Sequence, residues 1–130
     1  MKPIAVVAPG IAEGIITAGT VYDDKKDSWG GYSPKNYNTY MGLITIRQAI
    51  VSSQNIPMVR ALADISPETS LKFLESVGLK HLDFEGDNGL ALSLGGLTNG
   101  SNPLEMAGAY GAIANDRCFY RTNFLYKSNR

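Results

Sequence analysis

Paired cysteines are missing from this chain: Cys118 stands alone, so no internal disulfide can form. A single histidine, His81, leaves no His/Cys set from which a metal site is built. A surplus of charge is missing too. Twelve basic residues balance twelve acidic ones, which withholds the positive footprint that nucleic acids and anionic membranes select. No long apolar run occurs. The opening MKPIAVVAPGIAEG offers only Ile4 to Ala8 before Pro9 and Gly10, shorter than a signal-peptide core and far short of the about 20 apolar residues that span a bilayer. The glycine-rich GGLTNG at residues 95–100 has neither the lysine nor the strand-to-helix setting of a phosphate loop. No Ser/His/Asp set can be assembled. These absences predict a chain that is soluble as given, with no metal, no cofactor and no nucleic-acid partner.

What is present suits one mainly helical unit over 1–130. With 44% apolar residues, 130 residues can bury a core. Ile4, Val7, Ile11 and Ile15 recur at helical spacing, although Pro9-Gly10 is expected to kink or end that helix. Residues 17–44 mix Gly, Asp, Asn and Pro with Trp29, Tyr32, Tyr37 and Tyr40 and read as a long loop pinned by aromatics. A loop of that length is usually functional or short of a neighbour.

Thr45 and Gln48 form a capping-box pattern for a helix ending near Ser52. Pro57 opens another, with Met58, Ala61, Leu62 and Ile65 inward. Ser66-Pro67-Glu68 starts a third, ending at Gly78. Residues 81–102 read as irregular, with one short apolar run at Leu90–Leu94 that suits either a strand or, preferably, a helical turn. Asn102-Pro103-Leu104-Glu105 then caps a helix to about Asn115, and CFYRTNFLY over 118–126 alternates loosely as a strand would.

Between the helix that ends near Ser52 and the one that Pro57 opens falls the triplet Ser53-Gln54-Asn55. Taken alone, its serine and asparagine read as capping groups, with Asn55 accepting from an N–H of the helix that Pro57 opens. Lys2 alone reads as a solvated terminal residue, and His81 as a surface or helix-end histidine.

Three segments taken in order change that reading. MKPIAVVAPGIAEGIITAGTVYDD, GLITIRQAIVSSQNIPMVRAL and LSLGGLTNGSNPLEMAGAYGAIAN resemble consecutive parts of the transpeptidase domain of class A penicillin-binding proteins. That family's site is built from Ser-x-x-Lys, Ser-x-Asn and Lys-Thr-Gly. Ser53-Gln54-Asn55 resembles the second motif, and Met1-Lys2 the last two residues of the first. The nucleophilic serine is then expected three residues before Lys2, off the start of the sequence, and no Lys-Thr-Gly occurs in it.

The resemblance implies roles. The lysine matching Lys2 takes the nucleophile's proton, the serine matching Ser53 relays a proton to the departing amine, and the asparagine matching Asn55 holds the lysine and the substrate amide. Burial lowers a lysine's pKa and makes it a base, while a hydroxyl both accepts and donates. It also implies the helical part of a penicillin-binding (β-lactamase-like) domain without most or all of its sheet, an internal methionine having been either taken as a start or chosen as the point of cutting. The parent enzymes are membrane-anchored, face the cell wall, crosslink peptidoglycan stem peptides and bind β-lactams. The chain itself is expected to be inactive. The competing expectation is a non-enzymatic helical module whose exposed apolar surface makes a homodimer or binds a protein partner.

Overall fold

The computed structural model describes residues 1–115, and they begin with a helix that continues past Pro9 and Gly10 to Ala12 instead of ending there. A π-helical turn, Pro3–Val7, runs straight into α1 (Ala8–Ala12). The wide turn closes when Ala8 N–H donates to Pro3 O, which puts Pro9 in the first turn of α1, where no N–H is required of it. The carbonyl that an ordinary helix would pair with residue 9 belongs to Ala5. It is satisfied instead by the hydroxyl of the fully buried Ser70. Gly10 supplies a close approach: a Cβ there would lie 2.6 Å from Ile65 Cδ1 and 2.7 Å from Ile16 Cδ1. The residue inserted by the π turn also rotates the helix face. Ile4, Ala5 and Val6 are buried, whereas Ile11 and Ile15 are 44% exposed and Ile16 takes the inward place.

The stretch 17–44 is not all loop. Strand β1 (Val21–Asp24) pairs antiparallel with β2 (Gly42–Thr45), in the register Val21 with Thr45 and Tyr22 with Ile44. Ile44 faces the core and Leu43 the solvent. Alternation over four residues on each side is too brief a signal to stand out in a Gly/Asn-rich stretch. The connection 25–41 is held mainly by polar contacts. Arg60 pairs with Asp27 and lies 5.7 Å over the Trp29 ring; beside it, Tyr22 Oη of β1 donates to Asp64 Oδ2 at 2.6 Å. Of the aromatics expected to pin it, Trp29 does so, while Tyr37 is wholly exposed and Tyr40 41% exposed.

Capping chemistry sets the remaining helices. Thr45 Oγ1 accepts from Gln48 N at 3.2 Å while Gln48 Oε1 accepts from Thr45 N at 2.9 Å, the reciprocal box that opens α2 (Ile46–Val51). α3 (Ile56–Ile65) follows with Pro57 in its first turn. Ser66 Oγ caps α4 (Pro67–Ser76) through Thr69 N, a 3₁₀ turn occupies Leu90–Leu94, and Asn102 Oδ1 caps α5 (Pro103–Ala114) through Glu105 N. His81 Nδ1 sits 2.8 Å from Glu105 Oε1, tying the irregular 81–102 segment to α5.

The core gathers around α3, whose Ile56, Met58, Val59, Ala61 and Leu62 are all fully buried. Arg60, Ala63 and Asp64 make its one outward face, and the rest of α3 packs against the π turn, α1, α2, α4, β1 and the 3₁₀ turn. Its N-terminus therefore lies beside both the first turn of the chain and the end of α2. The architecture is mainly α. Among the described residues no helix is long and apolar enough to cross a membrane, and no group of His, Cys, Asp and Glu is arranged to hold a metal. The alternating segment 118–126 and Cys118 lie outside the described residues.

Candidate active site

Lys2 and Ser53 meet although they are 51 residues apart in the sequence. The Lys2 ammonium donates to Ser53 Oγ at 2.9 Å and to Ser53 O at 2.7 Å. Burial pushes the Lys2 pKa below the ordinary lysine range. The same two contacts suit the neutral amine, which donates to the carbonyl and accepts from the hydroxyl. The pair lines an open depression of about 370 Å³ with Met1, Pro3, Ile50 and Leu94.

Ser53 holds its place at a backbone cost. Helix α2 ends with Ser53 N donating to Ile50 O at 3.1 Å and Gln54 N to Ala49 O at 2.9 Å, the two bonds of a Schellman motif. The motif requires a left-handed residue at its turn, and Ser53 has φ 51°. Three other helical segments end with the same bonding pattern, and there the turn residue is Gly14, Gly78 or Gly95. A side chain in that conformation costs about 1–2 kcal/mol, so a serine at this one end points to a use for its hydroxyl. Ser53→Gly is therefore expected to be more stable than Ser53→Ala by about 1 kcal/mol. Both lack the hydroxyl, so denaturant midpoints isolate the backbone term, and equal midpoints would remove the strain argument.

Asn55 is not a helix cap. It precedes α3 with φ −88° and ψ −47° and makes no side-chain cap bond. Its Nδ2 donates to Lys35 O at 2.6 Å, and among the described residues no hydrogen bond joins it to Lys2. The capping role falls to Asn36, whose Oδ1 accepts from Asn55 N at 2.9 Å and Ile56 N at 3.2 Å. Asn36 Nδ2 donates in turn to Asp24 Oδ1 at 2.7 Å, and the other oxygen of the fully buried Asp24 accepts from Met41 N at 3.0 Å. Gln54, also fully buried, donates through Nε2 to Thr39 O at 3.2 Å. The connection 25–41 thus grips the side chains of Gln54 and Asn55 and the backbone amides of Asn55 and Ile56. Sequence reasoning missed Asp24, Asn36 and Gln54; the Asn-rich NYN at 36–38 was the one available sign.

Lys2 and Ser53 are thus in hydrogen-bond contact at the joint of α2 and α3, and the Asn55 carboxamide two residues on is turned to Lys35 O. Comparison with known proteins gives the family. The penicillin-binding protein transpeptidase domain family matches residues 1–125. Penicillin-binding protein 1F of Bacillus subtilis is 38% identical over 125 residues, covering 95% of this chain and 17% of that protein. Penicillin-binding protein 1A of Clostridium botulinum (strain Hall) is 32% identical over 137 residues, covering 98% of this chain and 16% of that protein. The crystal structure of penicillin-binding protein 1A from Haemophilus influenzae superposes with a TM-score of 0.71 at 28% identity, over 88% of this chain and 17% of that one. The chain belongs to the transpeptidase domain family of class A penicillin-binding proteins, and spans a small share of the length of the relatives it matches.

Proposed function

We propose that this chain forms the helical wall of a peptidoglycan D,D-transpeptidase site that also binds β-lactams, with Lys2, Ser53 and Asn55 as its catalytic residues. The contact between Lys2 Nζ and Ser53 Oγ carries the reading. In the reaction, the hydroxyl of a serine three residues before Lys2 attacks the peptide carbonyl and gives its proton to Lys2. The C–N bond then breaks, and the proton passes through Ser53 Oγ to the departing amine, so no net proton is gained or lost. Asn55 holds the substrate amide. A complete transpeptidase domain carrying residues 1–130 is expected to gain one drug mass from a labelled penicillin, on the serine preceding Lys2. No adduct, or an adduct on Ser53, rejects the assignment.

The second reading is self-association, supported by Leu43 at 76% and Val51 at 81% exposure. It expects a concentration-dependent dimer of the 130-residue polypeptide. A clean monomer in sedimentation at high concentration removes it.

A further inference from the structure

We propose that Asp24 and Asn36 are positioning residues for the Ser53-Gln54-Asn55 turn, acting through the backbone N–H groups of Asn55 and Ile56. The proposal rests on the transpeptidase reading above. A carboxamide can be placed either way round, but a carboxylate at neutral pH only accepts. The buried Asp24 therefore fixes Asn36 with its Nδ2 toward the carboxylate at 2.7 Å, and Asn36 Oδ1 toward the two N–H groups that open α3. Met41 N holds the second Asp24 oxygen at 3.0 Å, so the carboxylate cannot swing away.

The consequence for the site is indirect. Asparagine ahead of a helix is drawn to cap it with its own side chain. With Asn36 already supplying that oxygen from the connection 25–41, the Asn55 carboxamide is free to point elsewhere, and it reaches Lys35 O. The backbone next to it carries Ser53 in a left-handed conformation, which relaxes once the following turn is released. Loss of Asn36 or Asp24 would thus misplace Asn55 and Ser53 without touching either side chain.

The test uses a complete transpeptidase domain carrying residues 1–130, with penicillin acylation as one readout and hydrogen–deuterium exchange of the 53–57 amides as the other. Asn36→Ala and Asp24→Asn are each expected to lower the acylation rate constant at saturating drug by about 10- to 100-fold, the penalty of a small misplacement. Exchange at Asn55 and Ile56 accelerates in both. The double swap Asp24→Asn with Asn36→Asp restores rate and protection, because the new carboxamide at position 24 donates to the new carboxylate at position 36 and still accepts from Met41 N. Leu71→Val, a core change that loses stability without touching the turn, leaves the rate constant unchanged.

Single variants that acylate at the wild-type rate, or a folded double swap that restores nothing, overturn the proposal. If Asp24→Asn does not fold, Asn36→Ala decides by the same two readouts. A wild-type domain that takes up no penicillin rejects the transpeptidase reading instead, and the exchange measurement then decides this proposal alone.

Discussion

Lys2→Ala in a complete transpeptidase domain carrying residues 1–130 is expected to slow acylation by penicillin about 10²- to 10⁴-fold, the range that a positioned general base supplies. Lys2→Arg is expected to do no better. A guanidinium reproduces the charge and can reach Ser53, but it cannot give up its proton at any working pH, so the comparison separates a base from a cation. Burial holds the Lys2 pKa below the ordinary lysine range, and the acylation rate should therefore rise with pH through that lowered value as the neutral amine forms. Stability follows the same direction. The unfolded chain keeps its Lys2 proton up to about pH 10.4, whereas the folded chain releases it earlier. Between the two values the unfolded state binds more protons, so stability rises with pH across that window. Both profiles are read from stopped-flow acylation and denaturant midpoints at stepped pH. A Lys2→Arg domain acylating at the wild-type rate would end the assignment of Lys2 as base.

The parts of the fold that could be read from the sequence are those whose cause is local. Thr45 and Gln48, Ser66 with Pro67, and Asn102 with Pro103 and Glu105 each satisfy N–H groups within one turn, and so announce their helices. Pro9 misled because its missing donor is made good by Ser70, far along the chain. The triplet misled in the same way when read alone. Whether Asn55 caps α3 depends on Asn36, and whether Asn36 can do so depends on Asp24. Family resemblance picked out Lys2 and Ser53, which meet. The direct hold of Asn55 on Lys2 that it implied is replaced here by a bond to Lys35 O. Short-range rules carry caps and turns; a site assembled across a long connection is specified by contacts that no window of sequence contains.

Incubated with a labelled penicillin, the 130-residue polypeptide by itself is expected to gain no drug mass. Its 130 residues hold no hydroxyl three places before Lys2, so the question is whether Ser53, 2.9 Å from the Lys2 amine, attacks in its place. Amine bases are at hand. Lys2 is lowered in pKa by burial, and the Met1 α-amino group is lowered by burial and then by the charge of Lys2. No backbone amide from Ser52 to Ile56 is left unengaged to receive an oxyanion. A tetrahedral intermediate needs unengaged N–H donors aimed at its oxygen, and losing one such donor costs about 10²- to 10³-fold. Around Ser53 the backbone amides are already committed: Ser52 N to Gln48 O, Ser53 N to Ile50 O, Gln54 N to Ala49 O, and Asn55 N and Ile56 N to Asn36 Oδ1. Freeing any of them dismantles the turn that presents the hydroxyl. Under the proposed assignment Ser53 therefore passes a proton and does not hold an acyl group. Intact-mass analysis checks this directly: an adduct of one drug mass that disappears in Ser53→Ala would overturn both the inactivity of the polypeptide and the relay role of Ser53.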